Sequence, residues 1–244
     1  MALHFLLDGP ADAPGDAVTL TGAEAHHASS VRRVRVGEEV TVGDGRGVWL
    51  TGVVESVAPR EVVVRIHERT DVAQPSPRVV LVQALAKGDR DELAVQAATE
   101  LGVDEIVPWQ AARSVSRWDA AKAVKGRARW TSIVREAAKQ AHRAWVPEVA
   151  ELTTTSGLVR RAAASRILVL EPTAAEPLSA LAVEAGDDRD VVLVVGPEGG
   201  IAPDELDALA GAGARLVRLG DTVLRTSTAG PAALAVVSTA LARW

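Results

Sequence analysis

Two hydrophobic patterns divide the chain. Over the first 70 residues apolar and polar positions alternate in short runs, as in VTVGDGRGVWLTGVVESVAPREVVVRIHERT, broken by Gly-Asp-Gly and Ala-Pro-Arg. Successive side chains of a strand point to opposite faces, so this period predicts half-buried strands in a meander or small barrel. Upstream, TGAEAHHASSVRR reads as a short helix. Thr21 stands at its cap and Glu24 three residues on, the spacing of a capping box. DVAQPSP, residues 71–77, has two prolines and no period, and predicts a linker.

Beyond residue 77 the apolar runs become continuous. RVVLVQALA, VDEIVPWQ, RILVLEP, VVLVVGPEGG and ARLVRLG read as short strands, the most continuous of them of the kind covered on both faces. Between them DELAVQAATELG has helical spacing (Leu93, Ala97, Leu101) with Gly102 as its stop. WDAAKAVKGRARWTSIVREAAKQAHRA is a long basic helical region. DELDALAGAG is a helix with Pro203 in its first turn and Gly211 and Gly213 at its end. From Pro231 to Leu241 a small-residue, almost uncharged helix follows, which must be buried or packed on a partner. Strands alternating with helices predict a parallel α/β sheet.

Composition narrows the classes. The 244 residues suffice for two modest domains. No cysteine is present, which excludes a disulfide framework and a thiolate metal site; no metal is expected. The opening MALHFLLDGPAD has no basic n-region and does not read as a signal peptide. The apolar stretches fall short of the roughly 18–20 residues of a membrane span. The expectation is a soluble, cytoplasmic protein. Net charge is −5 but uneven: 7 basic against 11 acidic residues over 1–77, 12 against 8 over 78–145, and 8 against 13 over 146–244. From Arg113 to Arg143 nine basic residues face only Asp119 and Glu136. Such local density is either the footprint of a polyanion partner or a solvated helix face.

The candidate chemistry sits in two glycine-containing turns. GPEGG, Gly196 to Gly200, lacks the dinucleotide fingerprint, and no Gly-Lys-Ser/Thr follows it. A helix N-terminus attracts anions, but Asp204 and Glu205 already occupy that field and Glu198 would repel a phosphate. A neutral or cationic ligand suits the turn better; an ordinary tight turn with Pro197 fixing φ is the alternative. Downstream, LRTSTAG packs Arg225, three hydroxyls and a glycine into seven residues just after the strand end Leu219-Gly220. The two turns would meet at the carboxyl edge of the sheet, where open α/β sheets bind ligands. Arg225 is there either a free cation or a partner of Glu198 or Asp221.

GPEGGIAPDEL followed by LGDTVLRTSTA resembles the C-terminal signature of the RsmE family, ribosomal RNA small-subunit methyltransferases of the SPOUT superfamily that methylate uridine at N3. KGDRDELAVQAATELGVDEIVPWQAARSV, RWTSIVREAAKQAHRAWVPEV and AHHASSVRRVRVGEEVTVGDGRG resemble the family's first α/β stretch, central helix and N-terminal domain, in the right order over nearly the whole chain. The resemblance implies an α/β protein: a PUA-like β-barrel over residues 1–72 and a SPOUT methyltransferase domain with a deep trefoil knot over 78–244. It implies S-adenosyl-L-methionine as cofactor, whose sulfonium and lack of phosphate agree with the acidic turn. It implies 16S rRNA as partner, within an assembled small ribosomal subunit, and a homodimer.

The three knot loops would hold the cofactor through Leu170, Glu171, Gly196, Pro197, Glu198, Gly199, Gly200, Leu219, Gly220, Val223, Leu224, Arg225, Thr226 and Ala229. Arg225 is the candidate for stabilising negative charge on the base, and Glu198 a candidate general base. RNA contact is expected from Arg32, Arg33, Arg35, Lys87, Lys122, Arg129, Arg135, Lys139 and Arg143. The chain departs from the family in two places: LRTSTA carries Ser227 where Glu is frequent, and EAAKQAHR differs from the frequent EAAEQSGR at Lys139, Ala141 and His142. A relative acting on a transfer-RNA ribose 2′-hydroxyl, a non-catalytic RNA-binding module and, more distantly, a Rossmann oxidoreductase are the rival readings.

Overall fold

The computed structural model describes residues 2–9, 11, 16–184 and 186–244, so Met1, Pro10 and Asp12 of the opening stretch lie outside the described residues. The chain forms two compact units, Met1–Gln74 with Ala138–Val146, and Pro75–Ala137 with Pro147–Trp244.

In the first unit, β1 (Leu3–Leu6), β2 (Ala17–Thr21), β3 (Glu39–Gly43), β4 (Val48–Ala58) and β5 (Glu61–Asp71) form one sheet in the order β1-β3-β4-β5-β2. β1 runs parallel to β3, and the other neighbours are antiparallel. β1 and β2 are the two edges and do not pair among the described residues, so the expected PUA-like barrel is a curled half-barrel sheet. Register shifts at Thr51/Gly52 and Val54/Ser56 bend the long β4–β5 pair. The alternation behaves as predicted: Phe5, Leu20, Val40, Val42, Leu50, Val54, Val62 and Val64 share one buried core.

The helix expected after β2 is α1 (Gly22–His26), continued by a π-helical turn, His27–Arg32. The expected capping box does not form. Thr21 is the N-cap residue, but its side chain caps nothing. Glu24 instead accepts a hydrogen bond from Lys139 Nζ at 2.8 Å, with the two side chains 7% and 11% exposed. A carboxylate this buried is costly unless a charged partner compensates it, and Lys139 is that partner. In the same unit His142 takes a left-handed φ of 54°. The frequent family pattern has glycine there, the residue that adopts this conformation without strain. The His142 ring lies 5.5 Å from His4, which stacks on Trp49 at 4.2 Å.

The second unit contains β6 (Val79–Ala84), α2 (Arg90–Glu100), β7 (Glu105–Trp109), α3 (Ala120–Gln140), β8 (Glu148–Val149), α4 (Thr155–Arg161), β9 (Arg166–Leu170), β10 (Glu176–Pro177), β11 (Val191–Val195), α5 (Pro203–Gly211), β12 (Arg215–Arg218) and α6 (Thr226–Ala240). The last three residues of α3 belong to the first unit. The strands form one wholly parallel sheet in the order β10-β12-β9-β11-β6-β7-β8. Val80, Val82, Ile167, Val169, Val192 and Val194 share a core with Leu158 of α4 and Leu209 of α5. On the other face α6 approaches closely: a Cβ at Gly230 would lie 2.9 Å from Leu81 Cδ1 and 3.5 Å from Val195 Cγ2. Covering both faces explains the continuous apolar runs.

Two helices differ from their predicted form. The buried face of α2 is Asp91, Ala94, Val95, Ala98 and Thr99, whereas Leu93 is 51% exposed. α2 packs against α6, and the residues it buries are mostly small ones in place of the predicted Leu93. α6 begins at Thr226, five residues before the predicted start, so TSTAG is its first turn and Pro231 lies inside it. A proline this near the N-terminus removes a single intrahelical hydrogen bond, which packing tolerates. Among the described residues no helix is long and apolar enough to cross a membrane.

Candidate active site

β12, β9 and β11 are neighbours in the sheet, and the loops leaving their carboxyl ends enclose a cavity of about 350 Å³. The β11 loop is shaped first by backbone bonds. Gly200 N–H donates to Pro197 O at 2.9 Å, and Gly200 has a φ of +72°, which suits glycine. A Cβ on Gly196 would lie 2.6 Å from Ile201 Cγ1, so the return of the turn also requires a glycine there. The start of α5 is set by Glu205, which is buried. Its carboxylate accepts from Ala202 N–H at 3.3 Å, from Ala112 N–H at 3.0 Å and from Thr155 Oγ1 at 2.6 Å.

The β12 loop joins the β11 loop through Thr226. Its hydroxyl donates to Gly196 O at 2.9 Å and accepts from Gln83 Nε2 at 2.9 Å. Arg225, the N-cap of α6, is exposed and lines the cavity, and its guanidinium makes no ion pair among the described residues. It pairs with neither Glu198 nor Asp221. Glu198 is held elsewhere: Oε1 accepts from Arg90 Nη1 at 2.8 Å and from Lys87 N–H at 3.1 Å. Partial burial pushes the Glu198 pKa up, but its own backbone amide, the Lys87 amide and Arg90 outweigh that and hold it below the ordinary carboxylate value. Glu171 Oε1 accepts from the backbone N–H and hydroxyl of Thr173, at 3.1 and 2.8 Å.

Of the residues expected to hold a ligand, Leu170, Glu171, Gly196, Pro197, Glu198, Gly200, Leu219, Gly220, Val223, Leu224, Arg225, Thr226 and Ala229 all line this cavity. Gly199 does not. Its carbonyl accepts from Arg113 Nη1 at 3.2 Å, and a Cβ there would meet Arg113. The sequence reading missed Arg90, Arg218 and the apolar wall of Val195, Ile201 and Val217. Arg90 stands in KGDRDEL, a stretch read for its helix; an arginine opening the helix after a strand end was the available signal.

The expected RNA-contacting residues divide by partner. Arg32, Arg33 and Arg35 are exposed and make no ion pair among the described residues; the Lys87 ammonium is likewise exposed and unpaired. Arg129 is bonded to Glu92 at 2.9 Å, Lys122 lies 3.8 Å from Asp119, and Lys139 is the inward partner of Glu24. Arg135 and Arg143 are not free of partners either. The basic helix α3 thus carries less available charge than its sequence suggests.

A family profile described as an RNA methyltransferase domain matches residues 74–238, and one described as an RNA methyltransferase PUA domain matches residues 20–66. The chain is 45% identical to the ribosomal RNA small subunit methyltransferase E of Mycobacterium bovis, with 100% of this chain and 94% of that protein covered. It is 32% identical to the Bacillus subtilis protein of the same name, covering 90% and 89%. The solved structure of a ribosomal RNA small subunit methyltransferase E from Neisseria gonorrhoeae, bound to S-adenosyl methionine, matches with a TM-score of 0.86 and 29% identity over 98% of both chains. Joined to a half-barrel unit, a parallel sheet and a cavity built from three adjacent strand ends, these matches show that the chain belongs to the RNA methyltransferase family whose members are the ribosomal RNA small subunit methyltransferases E.

Proposed function

We propose that the chain transfers a methyl group from S-adenosylmethionine to N3 of a uridine in 16S rRNA, in the cavity at the ends of β9, β11 and β12. The cavity volume lies within the range of small-molecule pockets, roughly 300–1,000 Å³. Its lining fits the donor. Leu170, Val195, Ile201, Val217 and Leu224 offer apolar surface to a nucleoside. Glu171 and Glu198 stand beside Arg90, Arg218 and Arg225, both signs that a zwitterionic amino acid needs. The bound donor supplies an electrophilic methyl on a sulfonium. The observation that carries the reading is the convergence of the three predicted loops on one cavity.

The chain's own residues supply binding, orientation and charge. Uridine N3 gives its proton to solvent, negative charge develops on the flanking carbonyl oxygens, and N3 forms the new bond to carbon as the methyl's bond to sulfur breaks and a neutral thioether leaves. Arg225, exposed and unpaired at the rim, stabilises that charge. The Glu198 carboxylate, expected as a base, is already bonded to Arg90 and the Lys87 amide. Its role is to fix Arg90 against the cavity. With the pocket's carboxylates engaged, ionisation of N3 is favoured by nearby cations.

The domains divide the work: 1–72 seats RNA through Arg32, Arg33 and Arg35, and 78–244 carries the chemistry, with Lys87 beside the turn. The family further supports a trefoil knot formed by the three loops, a homodimer, a cytoplasmic setting and an assembled small subunit as substrate. The test is calorimetry with S-adenosylmethionine, followed by mapping of the methylated nucleotide in small-subunit rRNA from cells lacking and regaining this chain. Saturable binding and a methyl on uridine N3 are expected. A methyl on a ribose 2′-oxygen would replace the reading, and absence of donor binding would return the chain to the class of RNA-binding modules.

A further inference from the structure

Gln83 is the polar exception in the buried strand VVLVQA, and it is completely inaccessible to solvent. It does not line the cavity. Its backbone is in register with Val195, the residue before Gly196. Its Nε2 donates to Thr226 Oγ1 at 2.9 Å and to Ala84 O at 3.1 Å, and only the amide nitrogen can serve a carbonyl acceptor. Thr226 passes the link on to Gly196 O at 2.9 Å. Three segments distant in sequence are thereby tied: the sheet interior, the start of α6 and the first residue of the GPEGG turn. Thr226 and Gly196 both line the cavity.

Stability does not account for this glutamine. Its Oε1 is buried without a hydrogen-bond partner among the described residues, a loss that a leucine of similar size would avoid. We infer that Gln83 is a positioning residue for the donor: through Thr226 it sets the separation of Gly196 from the first turn of α6, and so the width of the cavity between them. Thr226 spends its one hydroxyl proton on Gly196 O and takes the Gln83 amide as donor, so both of these bonds shape the wall. This inference rests on the proposed placement of S-adenosylmethionine in the cavity.

The test is a double-mutant cycle on the full chain, read by calorimetry with S-adenosylmethionine and by thermal melting. Gln83→Leu and Thr226→Val should each weaken donor binding about tenfold, the scale of one hydrogen bond. The double variant should be no weaker than the weaker single one, because both remove the same link. Thr226→Ser should bind as the wild type does. Gln83→Leu should melt at or above the wild-type temperature. Wild-type affinity in Gln83→Leu, or additive losses in the cycle, overturns the inference. So does a loss of affinity that tracks a lowered melting temperature and that Thr226→Ser shares. Ala229→Trp, which fills the cavity, separates the two readings. If it abolishes binding while Gln83→Leu does not, the pocket stands and the positioning role falls. If Ala229→Trp binds normally, the donor sits elsewhere and both fall.

Discussion

At the amino ends of the parallel strands, arginines and carboxylates neutralise one another. Arg78 reaches Glu105 at 3.0 Å and Asp190 at 2.8 Å; Arg161 bonds Glu105 at 2.6 and 2.8 Å. Arg166 pairs with Asp187, and Arg243 with Asp104 at 2.9 Å. At the carboxyl ends of the same sheet, Arg225 and the Lys87 ammonium have no carboxylate partner among the described residues, and the loops are shaped by backbone bonds and close glycine contacts. One end uses its charge to join strands together. The other leaves charge available to a ligand, with the Arg90–Glu198 pair as the exception at its mouth.

Breaking the amino-end network should have the largest effect. Glu105→Ala leaves Arg78 and Arg161 to share Asp190 alone, and unfolding free energy should fall by about 3 kcal/mol, with S-adenosylmethionine affinity unchanged in the folded fraction. Chemical denaturation beside calorimetry checks this, and equal loss at both ends would erase the distinction. Arg225→Ala should do the converse. Turnover should fall by about a hundredfold or more while the melting temperature holds, because no ion pair is lost; single-turnover methylation at saturating donor reads it.

Glu198→Gln should be milder, a few-fold in donor affinity at neutral pH, on the order of 1 kcal/mol. The Glu198 pKa in the folded protein lies below its reference of 4.5, so its contribution is present above that pH and is lost as pH falls through the lower folded value. Affinities of wild type and variant should therefore converge in acid; a constant gap would mean the charge is not involved. The smallest effect is expected on α3: Lys122→Ala, at an exposed pair of 3.8 Å, should shift stability by less than about 0.5 kcal/mol.

The sequence made the second unit largely legible, because a strand covered on both faces leaves a continuous apolar run that alternation cannot mimic. The two turns were legible because their glycines and Arg225 stand at strand ends. What lay hidden depended on contacts between distant residues. Glu24 looked like a capping residue until Lys139, far along the chain, proved to be its partner. Gly199 looked like pocket wall, but Arg113 takes its carbonyl. The basic helix looked like an open cationic face, but Glu92 engages Arg129. Alternation gives the faces of strands and not their order, so the β1-β3-β4-β5-β2 arrangement was equally out of reach. Arg90 and Gln83 were visible as letters but not as parts of the site, because only tertiary pairing gives them a role.

α6 joins the two ends of the sheet. Its first residue, Thr226, is tied to Gly196 in the pocket, and Arg243, just beyond its end, is tied to Asp104 in the amino-end network. During synthesis the strands β6, β9, β11 and β12 are all made before this helix. A nascent chain arrested short of Thr226 has its sheet encoded but lacks the wall of the cavity and one of the bonds that fasten the opposite end. Donor affinity should therefore arise only after residues 226–243 have been made and packed, as a step separate from formation of the sheet.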